Sequence, residues 1–198
     1  MRKYFPALQY ANVPNLITTL GFAFGVAACY FMLVERDLRS TIILMSVSML
    51  MDLIDGLLAA KLNQQSLFGQ YLDSLVDFFI CCVVPILAVY VFLEPNLLLV
   101  TAAVFAGACG LWRLAYFNVT AQEKRNYFTG MPVPGGALLT SMSIWLVVYY
   151  GFPVWICTIA FFLAGLMMTA YFKLEKYGIW QKALWGIGAA FVIAVIVL

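Results

Sequence analysis

The chain has 198 residues, 65% of them hydrophobic and 10% charged, with a mean hydropathy of +0.99 and a formal net charge of +2. Soluble domains carry about 25% charged residues, so this balance excludes an ordinary soluble fold and implies an all-α, polytopic integral membrane helical bundle. No basic cluster stands behind the small positive charge, so nucleic acid is not an expected partner.

Residues 1–13, with basic and aromatic side chains around Pro6, are too mixed to cross a bilayer and predict an interfacial segment lying along it. No apolar core with a small-residue cleavage site develops there, so no signal peptide is expected. A first span is predicted over 15–34, entered through Pro14. Asn15 and Thr18 at its start fit either helix capping or contact with a bound ligand. After the charged loop 35–39, a second span runs over about 40–62 and a third over 66–93, with a kink expected at Pro85. A fourth follows over 97–118, then a polar connection over 120–129, a fifth span over 132–150 and a sixth reaching Phe172. The charged stretch 173–182 precedes a final apolar run of about 16 residues, which predicts a short seventh helix, shortened or continuing in a longer chain. The expectation is one membrane domain over 1–198: an interfacial segment (1–13), six core spans (14–174) and an extra C-terminal helix (175–198). The five cysteines, scattered through apolar segments, read as small buried hydrophobes without disulfides.

Basic residues predict the orientation. With a cytoplasmic N-terminus, Arg2, Lys3, Lys61, Lys124, Arg125, Lys173, Lys176 and Lys182 fall inside and only Arg36 and Arg39 outside. That places the polar turn 63–66 on the cytoplasmic face.

Function is to be sought in the stretch 52–77, where four carboxylates interrupt two apolar segments. Asp52 and Asp55 are three residues apart and Asp73 and Asp77 four apart, so each pair projects from one helix face. The turn lies midway, and in a helical hairpin the four acids meet roughly 13 to 20 Å from it at 1.5 Å per residue. Each ionised carboxylate at membrane depth costs roughly 2.5 to 3.5 kcal/mol, and like charges add repulsion. Nearby cations are few: Lys61 is at the turn, Arg113 is on another helix, and the chain has no histidine. An oxygen-only donor set selects hard divalent ions, Mg²⁺ or Mn²⁺, and four carboxylates suffice to bridge two of them. A proton relay or an ion path is the other reading of intramembrane acids. Arg113, near the inner end of its span, fits either snorkelling to the interface or bidentate binding of phosphate or carboxylate from the acid cavity.

The pattern Asp52-x-x-Asp55-Gly56-x-x-Ala59 followed by Gly69-x-x-x-Asp73-x-x-x-Asp77 resembles the signature of the CDP-alcohol phosphotransferase family, in spacing of every acid and both glycines. It departs at Ala60, where the family carries arginine; Lys61 follows one position later, about 100° round the helix. The stretches Arg113-Leu-Ala-x-Phe117-Asn118 and Tyr127-Phe128-Thr129-Gly130-Met131-Pro132-x-Pro134, with Asp73-Ser74-Leu75 and Pro85, are similar to the phosphatidylserine synthase branch of that family.

The resemblance implies transfer of a phosphatidyl group from CDP-diacylglycerol to L-serine with release of CMP. Two Mg²⁺ or Mn²⁺ ions would be held by Asp52, Asp55, Asp73 and Asp77, with Asp77 as general base. It further implies that Gly56, Ala59 and Gly69 line the nucleotide, that Asn15, Thr18, Ser74, Arg113 and Asn118 contact substrate, and that the protein is a homodimer embedded in membrane lipid. Glycerol phosphate or inositol phosphate as acceptor, a non-catalytic CDP-lipid-binding relative, and an ion path are the alternatives.

Overall fold

The computed structural model describes residues 4–120, 127–175 and 178–197. A short 3₁₀ turn, Pro6–Tyr10, precedes helices α1 (Val13–Leu33), α2 (Leu38–Lys61), α3 (Leu67–Phe78), α4 (Val84–Phe92), α5 (Leu97–Thr120), α6 (Val133–Tyr150), α7 (Trp155–Thr169) and α8 (Ile179–Val197). Among the described residues, α1, α2, the continuous helix Leu67–Phe92, α5 and α6 are long and apolar enough to cross a membrane; Trp155–Thr169 and Lys182–Val197 are shorter apolar helices. The polytopic helical bundle is therefore present, and among the described residues five of its helices have the length of a full span.

Local chemistry sets where the helices begin. Asn12, not Asn15, caps α1, its side-chain oxygen accepting from the Asn15 amide at 2.9 Å. Asp37 caps α2 through the Arg39 amide, Ser66 caps α3 through the Gly69 amide, and Asn96 caps α5 through the Leu99 amide. The two loop residues Asp37 and Ser66 thus act as helix starts. At the other end of α6, Gly151 adopts φ 68°, the left-handed conformation that closes a helix without a Cβ penalty.

The irregularity expected at Pro85 takes the form of a π-helical turn over Phe79–Val83, closed by the Val84 amide donating to the Phe79 carbonyl. Proline lacks the N–H that an α-helix would use at this point, and the widened turn reorganises the ladder around it. The helix continues through α4 rather than breaking.

Close approach comes from small residues, as in membrane bundles generally. In the α1–α2 pair, a Cβ on Gly21 would come within 3.2 Å of Met51 Cβ, and Ser48 donates its hydroxyl to the Gly21 carbonyl at 2.8 Å. Between α5 and α7, a Cβ on Gly165 would come within 2.7 Å of the Phe105 ring. Phe161, Ile144, Val84 and Leu99 are fully enclosed where α4 to α7 meet, and α8 closes onto this body through Phe191, whose ring meets Trp145 edge-on.

Two features depart from a purely helical reading. The sixth apolar segment stops at Thr169, three residues short of Phe172, because Ala170 is extended and leads into β2 (Lys173–Glu175). That strand pairs antiparallel with β1 (Tyr127–Thr129), so the polar connection after α5 and the one after α7 meet as a small ribbon. Lys173 lies over the Tyr127 ring, 4.9 Å from its centroid. Gly130 turns the chain out of β1 at φ 74°, where a Cβ would come within 2.8 Å of the Met168 carbonyl. The five cysteines are free thiols. Of the residues invoked for orientation, Arg2, Lys3, Lys124, Arg125 and Lys176 lie outside the described set, as does much of the polar connection 120–129.

Candidate active site

The α2–α3 hairpin brings its acids together. Asp55 is buried, Asp52 and Asp73 are half-buried, and one oxygen from each lies within 4.8 Å of the others. Oxygens around an ion with bonds of about 2.0 to 2.1 Å stand about 3 to 4 Å apart, so small side-chain rotations would close this trio on a dication. Unit charges at this spacing repel by roughly 3 to 4 kcal/mol per pair at an effective dielectric of about 20. Among the described residues no ion pair offsets that repulsion. The donor set is three carboxylates without imidazole, which suits a hard dication. Asp77, one turn beyond Asp73 on α3, is half-buried outside the tight trio and close enough to interact electrostatically with Asp52 and Asp55. The four acids thus sort into three convergent oxygens and one neighbour.

Above them is a cavity of about 530 Å³, reached from the 62–66 turn and lined by α1, α2, α3 and Phe117 of α5. Asn15, Thr18, Asp55, Gly56, Ala59, Gly69 and Asp73, all read from the sequence as site residues, form part of its wall. Its size is in the range of small-ligand sites. Two glycines have different reasons to be there. Around Gly56, apart from the backbone of its own helix and its chain neighbours, no protein atom lies within 4 Å of where a Cβ would sit, so the backbone is bare toward the cavity. At Gly69 a Cβ would come within 2.8 Å of Asn15 Oδ1, so glycine lets the Asn15 side chain of α1 sit close against α3.

The capping reading of Asn15 and Thr18 is corrected by their partners. Asn15 donates its side-chain amide to the Tyr10 carbonyl at 2.7 Å, tying the interfacial segment to α1, while the Tyr10 ring stacks on Phe68 of α3 at 4.6 Å. Thr18 donates its hydroxyl to Asp55 Oδ2. A carboxylate that ligates a metal is commonly held by such an outer hydrogen bond.

Ser74 and Asn118 face one another across α3 and α5: Ser74 donates to Asn118 Oδ1 at 3.1 Å. Neither lines the main cavity. Arg113 is 7% exposed, too buried to snorkel to an open interface, and it too is absent from the cavity wall. Its Nε has no hydrogen-bond partner among the described residues, an arrangement that leaves a strong donor available for an anion. Ala60 and Lys61 are exposed and do not line the cavity.

Sequence reasoning missed Gln64, Gln65 and Gln70, which also line the cavity. Gln70 had a usable signal, since 70, 73, 74 and 77 share one helix face. Among the described residues, the cavity wall holds no lysine or arginine.

The family model for CDP-alcohol phosphatidyltransferases matches residues 11–171. The chain belongs to this family. Among curated relatives, the CDP-diacylglycerol--serine O-phosphatidyltransferase of Methanocaldococcus jannaschii is 32% identical over 177 residues, covering 89% of this chain and 77% of the relative. The enzyme of the same name from Bacillus subtilis is 32% identical over 135 residues, 66% of this chain and 75% of the relative. The archaetidylserine synthase of Methanothermobacter thermautotrophicus is 30% identical over 148 residues, 72% of this chain and 61% of the relative. The matched span of the CDP-alcohol phosphatidyltransferase model includes Asp52, Asp55, Asp73 and Asp77, both cavity glycines, Arg113 and Asn118. An acidic trio suited to a divalent ion is thus present in a member of a family known to use divalent metals.

Proposed function

We propose that this chain is a membrane-embedded phosphatidyltransferase, one domain throughout, that moves a phosphatidyl group from CDP-diacylglycerol to L-serine. The observation that carries the reading is the convergence of Asp52, Asp55 and Asp73 under a cavity whose exposed backbone is Gly56. The names of the relatives favour serine as acceptor. The cavity wall agrees, since an acceptor bearing its own phosphate would call for cations that the described lining lacks.

In this reading Asp52, Asp55 and Asp73, with Asp77 at the edge of the set, would hold two Mg²⁺ or Mn²⁺ ions, which supply charge neutralisation to the diphosphate and to the transferring phosphorus. Thr18 keeps the Asp55 carboxylate oriented. Gly56, Ala59 and Gly69 line the nucleotide, with bare backbone offered at Gly56. Asp77 takes the proton from the serine hydroxyl; that oxygen bonds to the β-phosphorus as the bond to the bridging oxygen breaks, and CMP departs. Arg113, Ser74 and Asn118 serve the acceptor's carboxylate or the phosphate. Placement below the turn keeps water from competing for the phosphorus. The active site faces the cytoplasm, supported by the charge asymmetry of the loops, and the protein works as a homodimer by analogy with the family.

The test is to incubate purified protein with CDP-diacylglycerol, Mn²⁺ or Mg²⁺ and a panel of alcohols. Serine-dependent release of CMP with formation of phosphatidylserine is expected. Turnover only with glycerol phosphate or inositol phosphate would reassign the acceptor, and CDP-lipid binding without CMP release would make the chain a non-catalytic relative.

A further inference from the structure

Gln70 stands one helical turn before Asp73 and Ser74, with its side chain both in the cavity wall and against α5. Its Nε2 lies 3.0 Å from Asn118 Oδ1 and 3.4 Å from the Asn118 backbone carbonyl oxygen. A backbone carbonyl only accepts, so the Gln70 atom beside it must be the NH₂ group. The atom of Asn118 that meets that NH₂ must then be oxygen. Ser74 adds a second donor to the same Oδ1 at 3.1 Å. With its oxygen engaged twice on the α3 side, the Asn118 amide is locked in one of its two orientations, and its two N–H groups are turned away from α3. Among the described residues, the Asn118 NH₂ has no protein hydrogen-bond partner.

We propose that Gln70 is a positioning residue that acts through Asn118, fixing the amide so that its N–H donors are offered to an anionic group of the acceptor. This rests on the reading of serine as acceptor, whose carboxylate is the anion served, and it deepens that reading by naming what sets the polarity of the acceptor subsite. Ser74 alone does not enforce the orientation, because a hydroxyl serves as donor or acceptor and would follow the amide either way. Gln70 enforces it, because the backbone carbonyl dictates which of its own ends faces Asn118. A glutamate at 70 reverses the polarity: it presents only acceptors, so Asn118 turns its NH₂ toward α3 and shows its oxygen to the acceptor.

The experiment measures serine KM, CDP-diacylglycerol KM and kcat for wild type, Gln70→Glu, Gln70→Met, Asn118→Ala and the Gln70→Met/Asn118→Ala double variant. Gln70→Glu is expected to raise serine KM about 10-fold or more, since donors to a charged group are replaced by an acceptor. CDP-diacylglycerol KM should rise clearly less than serine KM, and Gln70→Met should add less than about twofold to serine KM once Asn118 is alanine. A general loosening of the α3–α5 contact would instead raise both KM values together or multiply with Asn118→Ala, and either result overturns the proposal. Gln70→Met carries the test if Gln70→Glu prevents folding. If wild type itself forms no phosphatidylserine, the acceptor reading falls and this inference falls with it. If wild type turns over serine normally and the cycle is multiplicative, the inference alone fails.

Discussion

The two halves of the bundle are held by different means. In α5 and α6, half of the most apolar window is buried within the protein, whereas in α1 and α2 the shares are 28% and 22%. The back half, α4 to α7, closes by shape: Gly165 against Phe105, and Phe161 enclosed. The front half carries Asn15, Thr18, Asp52 and Asp55, and within it α1 and α2 add polar contacts, Thr18 to Asp55 and Ser48 to the Gly21 carbonyl, to the close approach at Gly21. The front half is where a chain would place groups meant to be completed by a ligand, since the like charges of its acid trio repel. The back half is the frame against which they are positioned.

Substitutions should separate these roles. Asp77→Asn is expected to lower kcat by about 100- to 10,000-fold while CDP-diacylglycerol binding in the presence of Mn²⁺ remains measurable; near-normal turnover would remove Asp77 as the base. Phe161→Ala in the frame should lower stability by about 3 to 5 kcal/mol, read as a shifted denaturation midpoint, with little change in serine KM for the protein that remains folded. Thr18→Val should weaken apparent metal affinity about 10- to 100-fold, seen as a higher Mn²⁺ concentration for half-maximal CMP release and little change in the denaturation midpoint. Arg113→Ala should raise serine KM about 10-fold, as expected for loss of a charge-assisted hydrogen bond; an unchanged KM would place Arg113 in the frame instead. Smallest in stability terms, Gly56→Ala should move the folding free energy by no more than about 0.5 to 1 kcal/mol, because no protein atom occupies the space. It should nevertheless raise CDP-diacylglycerol KM, and an unchanged value would mean that the nucleotide does not approach this backbone.

What could be read in advance follows the same division. The acid hairpin was legible because its signal is local: spacings of three and four residues and a central turn fix which carboxylates share a face. Contacts between helices distant in sequence were not. Nothing in the periodicity of α5 shows that Asn118 meets Gln70, or that Arg113 is enclosed rather than snorkelling. Whether Asn15 caps α1 or contacts a ligand stayed open in the sequence because Asn12 and Asn15 are both good capping types, and only the backbone shows that Asn12 is the extended residue. The early end of α7 escaped because three-residue strands carry too few positions for an alternating pattern; Ala170 to Phe172 read as more apolar helix until β1 was there to pair with β2.

The most direct measurement of the central claim is the stoichiometry of CMP released to phosphatidylserine formed by the purified protein, from CDP-diacylglycerol and serine, across a Mn²⁺ titration. The account predicts one CMP per phosphatidylserine, no turnover without a divalent ion, and loss of both products in Asp73→Asn. Turnover that persists in a chelator, or that is indifferent to Asp73→Asn, would contradict it.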